Sequence, residues 1–206
     1  MAKVAGFIAA GGRSSRMGRD KAWLEIGGRP MIERVIEVVR PVTSSLSVIA
    51  NDSTYFRLGL RVLEDTNKGI GPLEAIRTAL ANSTESRALI VACDLPLVTT
   101  KLFEFLVSID AKYQAVIPVG RDGRMETLCG LYARDALECV TKLIGRGDRM
   151  VRLLFSEVST RFVSFNELKH LPGSEHFFEN VNSETDYLKV RGLTEASDPA
   201  GGWGVK

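Results

Sequence analysis

Val4-Ala5-Gly6-Phe7-Ile8-Ala9-Ala10-Gly11-Gly12-Arg13-Ser14-Ser15-Arg16-Met17-Gly18-Arg19-Asp20-Lys21 passes from seven apolar or small residues into a glycine-rich basic loop. The first part has the length and branching of a strand buried on both faces. Similar short runs recur at Leu46–Ala50, Leu60–Leu63, Ala88–Cys93 and Ala115–Val119. Between them apolar residues fall at helical spacing: Met31, Ile32, Val35, Ile36 and Val39 after Pro30; Leu73, Ile76 and Leu80 after Pro72; Leu102, Phe105, Leu106 and Ile109 after Thr99-Thr100. Proline and threonine are good helix starts. Strand alternating with helix implies parallel strands joined by right-handed crossovers, so the fold class is α/β, a Rossmann-like three-layer α/β/α sandwich with a mostly parallel sheet.

The second half changes character. Gly120-Arg121-Asp122-Gly123 joins Ala115–Val119 to Glu126–Tyr132 with turn residues suited to a hairpin, which predicts an antiparallel element in the sheet. Helices over Arg134–Leu143, Met150–Phe155 and Ser183–Val190 and a strand over Val158–Phe165 complete the expected elements. Residues 1–194 read as one domain, and Glu195–Lys206, with little to bury besides Trp203 and Val205, reads as a flexible tail.

Composition bounds the function. The chain has 206 residues, 27 Lys+Arg against 25 Asp+Glu and a net charge of +2, too even to point to nucleic acid or an anionic membrane. No run approaches the ~18–20 apolar residues that cross a bilayer. The three cysteines, Cys93, Cys129 and Cys139, have no CxxC spacing, so neither a disulfide framework nor a thiolate zinc site is indicated, and a reducing cytoplasm is the expected location.

Ligands of open parallel sheets bind at the carboxyl ends of strands, which directs attention to the loops there. Arg13–Lys21 carries four basic residues against Asp20, and the preceding glycines let backbone N–H groups approach a phosphate, with Arg16 and Lys21 neutralising it. Five residues separate Gly12 from Gly18 and no lysine follows the second glycine, so this is not a Walker loop; plain surface is the competing reading. Asp94, directly after Ala88–Cys93, either holds Mg²⁺, a hard cation that binds through one or two carboxylates and substrate phosphates, or opens a turn before the next helix. Asp65 has the same two readings, nucleotide contact or loop start. Gly69-Ile70-Gly71-Pro72-Leu73 enters a helix. In Asn180-Val181-Asn182-Ser183 the two asparagines point the same way on an extended segment, and Asn182 or Ser183 can also cap the last helix. His170 and His176 do not have zinc-helix spacing, and no serine sits in a G-x-S-x-G elbow.

On these residues the chain resembles the MobA-type molybdenum cofactor guanylyltransferases, within the nucleotidyltransferase superfamily. The loop Ala10–Gly18 with Asp20-Lys21-Ala22 is similar to the family signature, and Gly27–Pro30, Glu64-Asp65, Gly71–Leu73, Cys93–Pro96 and Asn180–Asn182 follow in the family's order. The resemblance implies transfer of GMP from GTP to molybdopterin, with release of pyrophosphate and formation of the guanine dinucleotide cofactor. It further implies that Ala9, Ala10, Gly11 and Gly12 cradle GTP, with Gly71 beside it, that Lys21 and Arg16 meet its phosphates, and that Asn51 and Asp65 contact the nucleoside. Asp94 would hold Mg²⁺, and Asn180 and Asn182 would face molybdopterin. Arg149 and Arg152 read either as cationic contacts for that anionic acceptor or as exposed helix arginines. Proteins that deliver molybdopterin or mature molybdoenzymes are the implied partners. The sequence departs from the family pattern at Ala9, where leucine is usual, at Arg19, where glycine is common, and at Glu74-Ala75, where a small pair often stands. The last change is expected to crowd the base pocket. Gly11-Gly12 resembles the guanylyl rather than the cytidylyl branch; CMP transfer, sugar-phosphate nucleotidyl transfer and non-catalytic nucleotide binding are the alternatives.

Overall fold

The structure, a computed structural model, describes residues 3–11, 20–67 and 69–197. Strand β1 (Val4–Ala9) is hydrogen-bonded along both edges. Chain order then gives a two-strand hairpin, β2 (Glu25–Ile26) and β3 (Arg29–Pro30), followed by α1 (Met31–Val39), β4 (Ser45–Ile49) and β5 (Arg61–Leu63). After these come α2 (Pro72–Asn82), β6 (Arg87–Ala92), α3 (Thr100–Ser108), β7 (Ala115–Pro118) and β8 (Cys129–Ala133). The last elements are α4 (Leu137–Gly145), α5 (Leu154–Glu157), β9 (Thr160–Val163), α6 (Phe165–Leu168) and α7 (Glu184–Ser197).

Seven strands form one sheet in the order β5-β4-β1-β6-β8-β7-β9. The pairs β5·β4, β4·β1, β1·β6 and β7·β9 are parallel, whereas β8 runs antiparallel to β6 and β7. The expected parallel sheet with an antiparallel element is therefore present. The element is shorter than the sequence reading had it, because β8 starts at Cys129 instead of Glu126. Glu126 N–H still donates to the Pro118 carbonyl of β7 at 3.0 Å, but the next two residues leave that ladder: the Leu128 carbonyl accepts from Ala92 N–H at 2.7 Å and the Thr127 carbonyl from the Tyr132 hydroxyl at 2.6 Å.

Alternation along the strands builds the three layers. Ile8, Leu89, Val91 and Leu131 point to one face and pack with Ile32, Val35 and Val39 of α1 and Leu102, Phe103 and Leu106 of α3. Phe7, Ala88, Ile90 and Tyr132 point to the other and pack with Leu73, Ile76 and Leu80 of α2 and Val140 and Leu143 of α4. A third cluster, Leu24, Ile26, Met31, Val181 and Val190, docks α7 against the β2–β3 hairpin. The sequence reading missed that hairpin, whose strands have two residues each around Gly27 and Gly28, both at positive φ. It also ended the last helix at Val190, seven residues short of Ser197.

The insertion of β8 is close-fitting. A Cβ at Gly130 would stand 2.9 Å from the Val116 carbonyl oxygen and 2.8 Å from Ile117 Cδ1, and backbone cannot yield as a side chain can. Gly130→Ala is therefore expected to cost ~1–3 kcal/mol, the usual range for overpacking, read as a lower urea midpoint at unchanged m-value; an unchanged midpoint would contradict the tight fit.

Candidate active site

The strand order reverses between β1 and β6: the chain lays β4 and β5 on one side of β1 and returns to place β6 on the other. At such a switch point the loops leaving neighbouring carboxyl ends part and open a crevice. The strand ends are held by main-chain bonds, Ala10 N–H to Ile49 O at 2.9 Å and Cys93 N–H to Ala9 O at 3.0 Å. A cleft of about 790 Å³ opens there, and Ala9, Gly11, Lys21, Asn51, Asp65, Gly71, Asp94 and Arg149 are among its lining residues.

Lys21 sits at the first residue of a 3₁₀ turn, Lys21–Trp23, whose start is capped by Asp20 accepting from Ala22 N–H. Its ammonium donates to Asp94 Oδ2 at 2.6 Å and to Asn182 Oδ1 at 2.8 Å. Asp94 and Lys21 side chains are only 17% and 16% exposed, so this ion pair is largely withdrawn from water. Asn182 reaches it because Val181 N–H donates to the Asp94 carbonyl at 3.0 Å while the Val181 side chain is buried in the third cluster. Ser183 and Asp186 exchange the capping bonds of α7, which leaves the Asn182 side chain available to Lys21. The capping role thus falls to Ser183 rather than to the Asn182 side chain.

On the far side of the cleft, Asn51 Oδ1 accepts from Asp65 N–H at 3.2 Å, and Thr78 donates to Asp65 Oδ1 at 2.9 Å. Burial raises the Asp65 carboxyl, and the Thr78 hydrogen bond pulls against that rise. A Cβ on Gly11 would lie 3.6 Å from Asp65 Oδ2 and 4.0 Å from Asn51 Nδ2, so the glycine keeps open the space facing both.

Several expectations need correcting. Ala10 does not line the cleft: its N–H is engaged by Ile49, its carbonyl oxygen faces the Tyr55 hydroxyl at 3.2 Å, and its side chain is in the opposite core layer. Arg152 is exposed outside the cleft, whereas Arg149 lines it. Glu74 does not crowd the pocket. It is buried, accepting from Asn67 and Arg77; burial alone would raise its carboxyl, but these bonds hold it below the usual range. Ala75 and Pro72 line the cleft instead. Gly12 and Arg16 lie outside the described residues. Cys93 and Cys129 are buried and Cys139 partly so, as packed small residues should be. His170 is exposed, whereas His176 is partly buried rather than a surface residue.

The sequence reading also passed over Glu126. It lies where β7 turns toward β8, with the Asn180 side chain near its carboxyl. Burial pushes that carboxyl up to about 7, Asn180 opposes the rise, and Asp122 and Asp94 add to it.

A cleft of this size at a switch point, edged by a glycine, a lysine and a strand-end aspartate, defines a nucleotide-handling α/β protein of the nucleotidyltransferase class. Comparison narrows this: the family model for the MobA-like NTP transferase domain matches residues 6–161, and the chain belongs to that family. A probable molybdenum cofactor guanylyltransferase from Carboxydothermus hydrogenoformans is 35% identical over 184 residues, 89% of this chain and 92% of that one. A probable molybdenum cofactor guanylyltransferase from Pelotomaculum thermopropionicum is 32% identical over 98% of this chain and 99% of its own. Among solved structures, molybdopterin-guanine dinucleotide biosynthesis protein A from Archaeoglobus fulgidus superposes with a TM-score of 0.80 at 21% identity, covering 94% of this chain and all of that one, and so shares the fold.

The Glu126 carboxyl carries a pH signature. Its folded value of about 7 exceeds the ordinary 4.5, so between these the folded protein keeps a proton that the unfolded chain releases, and stability falls as pH rises through that window. Glu126→Gln removes the titration and is expected to raise Tm relative to the parent at about pH 8, with the gain gone by about pH 4. A difference independent of pH would contradict the buried setting.

Proposed function

We propose that this chain transfers GMP from GTP to molybdopterin, releasing pyrophosphate. The observation that carries the reading is the Lys21 ammonium held between Asp94 and Asn182 at the mouth of the switch-point cleft. A terminal phosphate oxygen of molybdopterin bonds to the α-phosphorus of GTP, and the bond from that phosphorus to the bridging oxygen breaks as pyrophosphate leaves. Such transfer asks little covalent work of a protein; positioning and charge neutralisation dominate.

Lys21 is placed to neutralise the phosphates, and Gly11 leaves room for the nucleotide to pass Asp65 and Asn51. Asp65 and Asn51 present hydrogen-bonding groups to the nucleoside, and Asn180, Asn182 and Arg149 border the acceptor side. Asp94 and Asn182 offer hard oxygen donors to one cation, and among the described residues no group of three or more His, Cys, Asp or Glu could form a metal cage. This donor set fits Mg²⁺, which keeps waters and takes its remaining ligands from phosphates. When bound it supplies further neutralisation of the charge that develops on the transferred phosphoryl group. Asp94 is its holder in this reading, and Lys21 shifts from the carboxylate to the substrate. The same reading puts the protein in the cytoplasm, beside proteins that supply molybdopterin and receive the dinucleotide cofactor; among the described residues no helix is long and apolar enough to cross a membrane.

The direct test is pyrophosphate release on incubation with GTP, Mg²⁺ and molybdopterin. Asp94→Asn keeps the side-chain volume and is expected to stay folded while losing ~10²–10³ in kcat, the range for removal of one electrostatic stabiliser; near-normal turnover would remove Asp94 from the site. Base choice is the second test. A site that hydrogen-bonds guanine leaves those groups unpaired when cytosine enters, at ~1–3 kcal/mol each, so two losses predict a kcat/KM preference for GTP over CTP of about 30-fold or more. Equal values, or a preference for CTP, would move the chain to cytidylyl transfer.

A further inference from the structure

Tyr55 is 1% exposed, yet its hydroxyl is not idle. It lies in a 3₁₀ segment, Ser53–Leu58, anchored at its start by Asp52 accepting from Thr54 N–H at 2.8 Å. From there the hydroxyl stands 2.6 Å from Asp20 Oδ2 and 3.2 Å from the Ala10 carbonyl oxygen. A phenol has one proton, and the shorter distance and the charge of the acceptor assign it to Asp20. Burial, with the Asp20 contact second, raises the Tyr55 phenol far above its usual range, so it remains a donor at every working pH.

The other oxygen of the same carboxylate is also in use. Asp20 Oδ1 accepts from Ala22 N–H at 3.1 Å and so caps the turn whose first residue is Lys21. A continuous chain of contacts therefore runs from a buried phenol through Asp20 to the backbone that carries the site's lysine. The Trp23 ring closes the turn from the other end, 5.3 Å from the Tyr55 ring, with the Arg57 guanidinium 3.4 Å above it. The family signature contains Asp20 and Lys21 side by side, but the packing needs of the core do not require a hydroxyl here; phenylalanine would fill the same volume.

We infer that Tyr55 is a positioning residue for the transfer reaction: its hydroxyl bond to Asp20 fixes the turn that aims Lys21 into the cleft. This rests on the reading above in which Lys21 serves the nucleotide phosphates. Tyr55 touches no substrate, so its effect must pass through Lys21, and that is what distinguishes it from a residue that merely supports the fold.

The experiment is a double-mutant cycle. Tyr55→Phe keeps the ring and is expected to lower kcat/KM for GTP about tenfold, the effect of ~1.4 kcal/mol and near the lower end for a hydrogen bond to a charged group. In a Lys21→Ala background the same substitution is expected to change kcat/KM less than twofold, because the group it positions is gone. An equal loss in both backgrounds, or no loss in the parent, overturns the proposal. Amide hydrogen exchange gives a readout apart from turnover: Ala22 N–H should exchange at least several-fold faster in Tyr55→Phe while the β1 amides keep their protection, and unchanged Ala22 protection overturns the proposal too. Should Tyr55→Phe not fold, Asp20→Asn is compared with Asp20→Ala. The amide keeps an acceptor for Ala22 N–H and a partner for the phenol, so Asn should retain several-fold more activity than Ala, and equal activities again overturn the inference. A parent chain that transfers no nucleotide would sink the guanylyl reading alone, with Ala22 protection still deciding the role of the Tyr55 hydroxyl.

Discussion

One ammonium group holds three remote parts of the chain together. Lys21 Nζ meets Asp94, 73 residues away, and Asn182, 161 residues away, and these contacts join the turn after β1 to the end of β6 and to the segment before α7. A cation shared between a carboxylate and an amide oxygen, mostly out of water, feels stronger electrostatics than a surface pair and costs more to leave unpartnered. The third hydrophobic cluster brings Val181 to the right depth, and the Val181–Asp94 main-chain bond sets its register, so Asn182 projects toward Lys21. Apolar packing thus brings the polar groups to within hydrogen-bond distance, and the polar groups fix which way the packed segments face.

The two walls of the cleft use different means. Toward β4 and β5, the Asp65 N–H donates to the Asn51 side-chain oxygen, and Thr78 of α2 holds the Asp65 carboxyl from behind. Toward β8, the segment after β7 leaves its ladder, bonds to Ala92 and brings Glu126 to Asn180. The first wall is preset by neighbouring strand ends, and the second depends on the antiparallel strand being wedged into an otherwise parallel sheet. The two walls of the cleft therefore rest on separate pieces of architecture, joined at Lys21 and Asp94.

Much of this was legible in the sequence, for identifiable reasons. Short β-branched runs buried on both faces mark parallel strands strongly, and Pro30 and Pro72 mark helix starts, so the three layers followed from periodicity; the strand order and its switch point did not. Asp94, Asp65 and Gly11 sit two residues beyond strands, where this architecture places ligands, and Lys21 stands out by the charge of the loop that carries it; all four line the cleft. What escaped was set by tertiary contact. Tyr55 lies between strands in a polar stretch with no period, and its role exists only because folding brings Asp20 beside it. Glu126 reads as the start of a strand because alternation is blind to the break two residues on, where the Leu128 carbonyl turns to Ala92. Glu74 was expected to crowd the pocket because position in a motif says nothing of rotamer; Arg77, one turn along α2, and Asn67 draw it away.

The placement of β1 inside the sheet, between β4 and β6, has a consequence for how the chain comes to be folded. Its edge partners are far along the sequence: Ala5 pairs with Ser45, and Val4 with Arg87. Neither edge can be closed by a local hairpin, and during synthesis from the N-terminus the first strand made has a bare edge until β6 has emerged. By contrast, β7 and β8 are adjacent in sequence and pair across a short turn, with Gly120 N–H bonded to the Arg124 carbonyl. The β1·β6 pairing closes the longest loop in the sheet, Val4 to Arg87, so it carries the largest loop-closure entropy and is the slow, aggregation-exposed step of folding. The strand ends that form the cleft take their final geometry only when that pairing closes.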